Sequence, residues 1–156
     1  MAREIPCLRL VYGAAAIVIV VTALWALLFV PQLGVHPEAI RTGVDSSSKM
    51  FFAVQLTAAV VLLLCVILGH QRGDRIITGS ISGFLYLAAA LIFLHDFMVF
   101  DGAVYYLENL EGFSTEAILM LACVGANLIA AVLAIKAGNK FRQLAKARRG
   151  GKDILK

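Results

Sequence analysis

Four long apolar runs divide this chain, and each is about as long as a helix that crosses a membrane. The runs are Leu10–Val30, Met50–Gly69, Ile76–Phe100 and Ala117–Ile135. Roughly 20 helical residues cover about 30 Å of hydrocarbon. Charged residues make up only 15% of the chain, against ~25% in soluble domains. The pattern predicts an all-α integral membrane protein, in which a four-helix antiparallel bundle forms one membrane domain over residues 1–156.

The segments outside the runs alternate in charge, and this alternation predicts the orientation. The N-terminus, the segment His70–Arg75 and the tail 136–156 share one side in a four-crossing topology. They hold 12 of the 14 Lys and Arg residues and 3 of the 10 acidic residues, a net charge of +9, which leaves −5 for the other side. Positive segments stay on the side from which a membrane protein is inserted. Both termini are therefore expected on the cytoplasmic side, or on the stromal or matrix side in an organelle.

Small residues recur at regular spacing in the third and fourth runs. The row in the fourth run consists of Ala122, Ala126, Ala130 and Ala134. Gly79 and Gly83, at the start of the third run, have the same spacing of four. Small side chains let helix backbones approach closely, which is how helices associate in lipid. The sequence predicts helix-packing interfaces at these positions, either within the bundle or against a partner membrane protein.

Few polar side chains lie inside the runs. Gln55 is near the outer end of the second helix, and His95 and Asp96 are near the outer end of the third. Because consecutive helices run in opposite directions, we expect a hydrogen bond between Gln55 and His95. Asn127, near the middle of the fourth run, is expected to hydrogen-bond between helices. We interpret these residues as interhelical hydrogen-bonding groups that stabilise the packing of the helices, with a small-ligand or proton-handling site as the alternative.

His95 is also a candidate ligand for a pigment. A neutral imidazole in an apolar wall can bind the iron of a haem or the magnesium of a chlorophyll. A bis-histidine haem needs a second histidine at the same depth, whereas His36 lies in a loop and His70 at a helix end. The sequence therefore predicts no cofactor, and single ligation of a chlorophyll or other pigment by His95 is the alternative.

The sequence carries no pattern that is typical of an enzyme. Cys7, Cys65 and Cys123 are far apart and lack metal-ligand spacing. No nucleophile–base pair, metal set or phosphate-binding loop can be assembled from the remaining residues. We therefore expect a protein that is not an enzyme and has no metal site.

Basic residues dominate the tail 136–156, which can extend the fourth helix until Gly150 and Gly151 break it. The residues expected to make contacts are Lys140, Arg142, Lys146, Arg148 and Arg149. A basic segment gains roughly 1 kcal/mol per residue near an anionic leaflet. We expect contact with anionic lipid headgroups or with an acidic partner surface. Nucleic acid is not expected as a partner, because no aromatic platform or binding motif accompanies the charge.

The order of the segments resembles two known families. Four helices, a long first loop, a short second loop, and His95 followed by aromatic residues near the end of the third helix are similar to the layout of DoxX-like membrane proteins and of the small scaffold proteins of ergosterol synthesis. The resemblance covers topology and these few residues. It implies a scaffold or helper role in lipid or sterol metabolism.

The small-residue rows, the lack of catalytic groups and the basic tail favour one function. We expect a non-catalytic small subunit that packs into and stabilises a larger membrane protein complex, such as a respiratory or photosynthetic one. The expected partners are membrane lipids and other membrane subunits, in an energy-transducing organelle or a bacterial inner membrane. The alternatives are the role in lipid or sterol metabolism and a small-ligand or pigment-binding protein that uses Gln55 and His95.

Overall fold

The computed structural model of the protein describes the backbone of four helices. They are α1 (Ile5–Leu28), α2 (Glu38–His70), α3 (Arg75–Asn109) and α4 (Thr115–Asp153). Side chains are described for residues 7–27, 50–70, 76–101 and 118–147. Each helix contains a stretch that is long and apolar enough to cross a membrane. Over the described residues, the prediction of an all-helical, multi-pass membrane protein is confirmed.

Three helices extend well beyond the apolar runs from which they were predicted. α2 begins at Glu38, α3 continues to Asn109, and α4 continues through the basic tail to Asp153. An apolar run marks only the part of a helix that lies in hydrocarbon, whereas a helix satisfies its own backbone hydrogen bonds in any solvent. The tail therefore belongs to α4, which passes through Gly150 and Gly151, where the sequence predicted a break.

Each helix directs a stripe of residues with alternating spacings of three and four toward the other helices. The buried positions of the stripes are Cys7, Val11, Ala14, Val18, Val21 and Trp25 on α1; Gln55, Ala58, Leu62 and Cys65 on α2; Ile81, Leu85, Ala88, Ile92, His95 and Val99 on α3; and Cys123, Asn127, Ala130, Ala134, Ala137 and Phe141 on α4. This spacing keeps one face of a helix toward its neighbours over many turns. The stripes form the core of the bundle, and toward one end each carries a side chain with a polar atom.

The four helices form a closed ring in the described part of the chain. α1 and α3 each contact α2 and α4, whereas α1 does not approach α3, and α2 does not approach α4, within 8 Å between Cα atoms. The hydroxyl of Tyr12 on α1 hydrogen-bonds to Nε2 of His70 on α2. On the other side of α1, a Cβ on Gly13 would lie 3.4 Å from Cδ1 of Leu133 on α4. Across the diagonals of the ring, only side chains meet.

Gly138 brings the backbone of α4 close to α3. A Cβ at this position would lie 3.4 Å from the ring of Tyr86 and 3.5 Å from Cβ of Leu85. The Ser82 hydroxyl donates a hydrogen bond of 2.9 Å to the Gly138 carbonyl oxygen. One residue further, the Tyr86 hydroxyl donates to Oδ1 of Asn139 at 2.5 Å. The Cβ of an alanine would therefore meet α3 in ordinary van der Waals contact, and a residue larger than alanine at Gly138 would push these two helices apart.

The outside of the bundle is apolar along the spans. Only 28–39% of each apolar span is buried inside the bundle. The exposed part includes large apolar side chains such as Leu27, Ile67, Phe97 and Ile129. Soluble monomers rarely expose so many large apolar side chains together, and such a surface matches the hydrocarbon that surrounds a membrane helix.

Candidate functional site

Five side chains with polar atoms meet in the core, and every helix contributes at least one of them. We call this group the polar layer: Trp25 of α1, Gln55 of α2, His95 and Asp96 of α3, and Asn127 of α4. Gln55, His95 and Asn127 have no exposed surface, and Trp25 and Asp96 are each 4% exposed. Polar side chains enclosed among membrane helices are rare, and they are candidates for function.

The polar layer lies inside the apolar spans rather than at their ends. Gln55 is five residues from the start of the span Met50–His70, and Asp96 is five residues from the end of the span Ile76–Asp101. At 1.5 Å per residue, both lie about 7–8 Å inside. The sequence placed Asp96 at the outer boundary of the membrane, whereas the structure encloses it among helices. The reason is that Asp96 is adjacent to His95 on the inward-facing stripe of α3.

One diagonal of the ring is closed by a pair of amides. Nε2 of Gln55 donates to Oδ1 of Asn127 at 3.1 Å, and Nδ2 of Asn127 donates to Oε1 of Gln55 at 3.2 Å. The two bonds join α2 to α4 across the centre of the bundle. Such bonds are worth about 0.6 kcal/mol each on average within membranes, and up to about 1.7 kcal/mol.

Asn127 also joins α4 to α3. Its Nδ2 donates to Oδ1 of Asp96 at 3.0 Å and lies 3.3 Å from Nδ1 of His95. The hydrogen bond predicted between Gln55 and His95 is thus replaced by a link through Asn127. The prediction that Asn127 hydrogen-bonds between helices is confirmed.

The second diagonal is closed by an aromatic contact. The rings of Trp25 on α1 and His95 on α3 meet edge to face, with centroids 5.6 Å apart and planes at 88°. This is the favoured geometry for aromatic pairs, which add about 0.5–1.5 kcal/mol beyond the area that they bury. Both diagonals therefore close in the same layer, which joins all four helices at one depth.

Counting hydrogens assigns the tautomer of His95. Nδ2 of Asn127 has two hydrogens but lies near three acceptor positions, on Gln55, Asp96 and His95. Nδ1 of His95 also lies 3.3 Å from Oδ1 of Asp96, and two bare acceptors at that distance would repel each other. If Nδ1 carries a hydrogen, it donates to Asp96, and the two hydrogens of Asn127 serve Gln55 and Asp96. The network therefore favours the Nδ1–H form.

This assignment leaves two polar atoms that make no hydrogen bond within the described structure. They are Nε2 of His95 and Oδ2 of Asp96, and both are buried. In the Nδ1–H tautomer, Nε2 has a free lone pair. A carboxylate that orients an imidazole and leaves the far nitrogen bare is the arrangement by which proteins prepare a histidine as a base or as a ligand.

A pigment does not fit His95 in this conformation. The imidazole has no exposed surface, and Trp25 packs against its ring. A macrocycle would reach Nε2 only if neighbouring side chains moved, so ligation of a pigment by His95 stays a prediction. The described residues contain no group of three His, Cys, Asp or Glu side chains that could hold a metal ion.

The predicted row of alanines on α4 is divided between the core and the surface. Ala130 and Ala134 have no exposed surface and belong to the main core. Ala126 is half-buried, and Ala122 is exposed. The row therefore leaves the bundle toward the start of α4, because a straight helix with a spacing of four drifts around its axis relative to the buried stripe.

Gly79 and Gly83 face away from the bundle. Both are exposed, and a Cβ at either position would meet no described residue within 4 Å. Ser80 between them is exposed as well, with Ile76 and Phe84 as exposed large neighbours. We call this surface, made of Ile76, Gly79, Ser80, Gly83 and Phe84, the α3 groove.

The basic extension of α4 has a buried side and a charged side. Ala137 and Phe141 pack into the core, whereas Lys136, Lys140, Arg142 and Lys146 are exposed. Among described side chains only Asp96 and Asp101 are acidic, so the described part of this extension, up to residue 147, holds no acidic side chain. The predicted contacts of Arg148 and Arg149 concern side chains outside the described residues.

Sequence reasoning found the members of the polar layer on α2, α3 and α4 but not the way they connect. Asn127 was noticed as a polar residue near the middle of the fourth run, and its spacing of three and seven residues from Ala130 and Ala134 would also have placed it on their buried face. Trp25 gave no comparable signal, because a tryptophan near the end of a membrane helix is also typical of an interfacial anchor.

No protein-family model matches the chain, and no curated protein or solved structure is significantly similar to it. The resemblance to DoxX-like proteins and to ergosterol-synthesis scaffolds therefore stays a prediction, as does the role in lipid or sterol metabolism that it implies. The polar layer, the α3 groove and the basic extension are the features of this chain on which a function can be proposed.

Proposed function

We propose that the protein is a non-catalytic subunit of a larger membrane assembly and that the α3 groove binds a transmembrane helix of a partner subunit. The observation that carries the proposal is the exposure of Gly79 and Gly83 on the outside of the bundle. In lipid, close packing of helices through small residues replaces the hydrophobic effect as the cause of association. A helix with an apolar side chain facing this groove would fill the space above the two glycines.

Other glycines of the chain support this use of the groove. Gly13, Gly69 and Gly138 each face a side chain of a neighbouring helix, at 3.4, 2.5 and 3.4 Å from an ideal Cβ. Small residues inside the bundle thus already serve close contacts. Gly79 and Gly83 have the same spacing as the alanine row of α4, but no described residue of another helix lies within 4 Å of an ideal Cβ at either position.

The enclosure of the polar layer supports a non-catalytic role. Three polar side chains of this layer have no exposed surface: Gln55, His95 and Asn127. A substrate has no access to them in this conformation, whereas a layer that joins four helices at one depth makes the bundle a rigid unit. Rigidity of this kind suits a subunit that stabilises its neighbours.

The proposal includes an antiparallel bundle with both termini on the cytoplasmic, stromal or matrix side. Contacts between Tyr12 and His70, and between Ser82 and Gly138, support it, because each joins the N-terminal half of one helix to the C-terminal half of a neighbouring helix. The exposed cations of α4 would then lie at the headgroups of the inner leaflet, where anionic lipids attract them by roughly 1 kcal/mol per residue.

Filling the α3 groove tests the proposal. In the double variant Gly79→Leu/Gly83→Leu, two leucine side chains would occupy the position of the partner helix. We expect the fraction of the chain found in the larger native particle to fall at least about tenfold, which corresponds to about 1.4 kcal/mol. Native electrophoresis after extraction in mild detergent measures this fraction.

Gly125→Leu is the matched control. Gly125 is also an exposed helical glycine with nothing within 4 Å of an ideal Cβ, but it is not part of the α3 groove. This variant should assemble like the wild type. Full assembly of the Gly79→Leu/Gly83→Leu variant would contradict docking at the groove, and equal loss in both variants would point to a general effect of leucine on the surface.

A further inference from the structure

The polar layer has a net negative charge if Asp96 is ionised and His95 is neutral. One additional proton on either residue would make the layer neutral. With His95 in the Nδ1–H form and Asp96 ionised, its net charge is −1. Among described side chains, the Lys and Arg residues lie on α1 and α4, where all of them are exposed, so none enters the core. A single uncompensated charge enclosed in a membrane protein is strongly unfavourable.

The two atoms that could take this proton are the two that lack partners. Oδ2 of Asp96 and Nε2 of His95 are buried and make no hydrogen bond in the described structure. A proton on Oδ2 gives a neutral acid beside a neutral imidazole. A proton on Nε2 gives an imidazolium–carboxylate pair, joined through Nδ1 and Oδ1 at 3.3 Å. Either location makes the layer neutral.

We propose that the His95–Asp96 pair is a proton-binding site in the core of the bundle, which takes up one proton from the aqueous phase and releases it when the layer opens to water. An N–H or O–H bond is formed and broken, and no other bond changes. The proposal does not depend on the role as a subunit, because it rests on the core of the single chain.

The other side chains that face the pair carry no positive charge that could balance an ionised Asp96. α1 contributes Trp25 and α2 contributes Gln55, neither of which gains or loses a proton in the ordinary pH range. α4 contributes Asn127, which is likewise neutral, and the thiol of Cys123, which lies within electrostatic range of Asp96. Asp101, the other described acidic side chain of α3, is exposed at the end of the span.

The sign of the pH effect follows from the proton count. The folded layer holds the extra proton, whereas an unfolded chain exposes Asp96 to water or headgroups and has no need of it. Above the ordinary pKa of an exposed histidine, about 6.5, an unfolded chain holds neither this proton nor a second one on His95. In that range the folded state binds one more proton than the unfolded state, and stability falls as pH rises. For one proton, the unfolding equilibrium constant increases by at most about tenfold per pH unit.

The experiment compares unfolding of the wild type and of Asp96→Asn in detergent micelles over a series of pH values. An asparagine keeps a neutral side chain of the same shape, so the variant needs no proton. We expect the denaturant midpoint of the wild type to fall relative to that of Asp96→Asn as pH rises. Asp101→Asn is the control, and it should follow the wild type. Parallel pH dependence of the wild type and Asp96→Asn would overturn the proposal.

A second measurement uses only the wild-type protein, so it does not require that the Asp96→Asn variant fold. Nuclear magnetic resonance of the wild type, with ¹⁵N-histidine and ¹³C-aspartate labels, reports the protonation of both groups directly. We expect a proton on Nδ1 of His95 and a further proton on either Nε2 or the Asp96 carboxyl group in the folded protein at neutral pH. A neutral His95 beside an ionised Asp96 would overturn the proposal.

Discussion

Asn127→Leu is expected to lower the free energy of unfolding by about 2–4 kcal/mol. The variant removes both bonds to Gln55 and the bond to Asp96, while leucine is similar in shape to asparagine. The amide of Gln55 and the carboxyl group of Asp96 then lose a partner in the core, where an unsatisfied polar group costs roughly 1–3 kcal/mol. Reversible unfolding in mixed detergent micelles, followed by circular dichroism, measures the difference.

Asn139→Leu, on the same helix, is the matched control for Asn127→Leu. Asn139 is exposed and accepts a hydrogen bond from Tyr86. Its replacement should change the free energy of unfolding by less than about 1 kcal/mol, because the freed hydroxyl can turn to solvent. Equal effects of the two variants would mean that the polar layer contributes no more than a surface hydrogen bond.

Ala134→Leu is expected to destabilise the bundle by about 1–3 kcal/mol. Ala134 has no exposed surface and lies in the main core. A leucine there adds three carbon atoms where the chain has left room for a methyl group, so α4 must move away from its neighbours or the side chain must leave its preferred rotamer. The same detergent-unfolding measurement, made on the isolated chain, gives the size of the effect.

Ala122→Leu makes the same substitution at the other end of the alanine row. Ala122 is exposed, so the leucine would enter lipid or detergent, and the free energy of unfolding should change by less than about 0.5 kcal/mol. A large loss of stability in Ala122→Leu would contradict the position of this residue on the outside. A negligible loss in Ala134→Leu would contradict its burial.

The membrane class and the four helices could be predicted because each helix that crosses a bilayer needs a long apolar run in the sequence. Only a long apolar run can cross hydrocarbon as a helix, and such runs are visible without knowledge of the packing. The ends of the helices could not be predicted in this way. Glu38 and Asp153 are part of helices, but outside the hydrocarbon a helix is free to be polar, so the apolar pattern ends before the helix does.

The sequence predicted most residues of the polar layer, but it did not predict which of them form hydrogen bonds with each other. Gln55, His95 and Asp96 stand out as polar residues within apolar runs, but their partners depend on how four helices are rotated against one another. In a ring, the hub of the network is the residue that faces the centre, and Asn127 has that position. A pairwise argument between α2 and α3 therefore led to a Gln55–His95 bond instead of a link through α4.

The role of the small residues depended even more on packing. The spacing of four marks Ala122 and Ala134 as members of one row, yet it does not tell where the row leaves the core. Gly79 and Gly83 have the spacing of an internal contact and face outward. Only the rotation of each helix in the ring distinguishes a contact within the chain from a surface for a partner.

The native mass of the particle, measured after extraction in mild detergent from the membrane in which the protein is made, tests the central claim most directly. If the protein is a subunit that docks through the α3 groove, the particle has a defined mass well above the 16.8 kDa of the chain and contains other polypeptides in fixed ratio. A particle that contains only this chain, as a monomer or as a small multiple of 16.8 kDa, would contradict the claim.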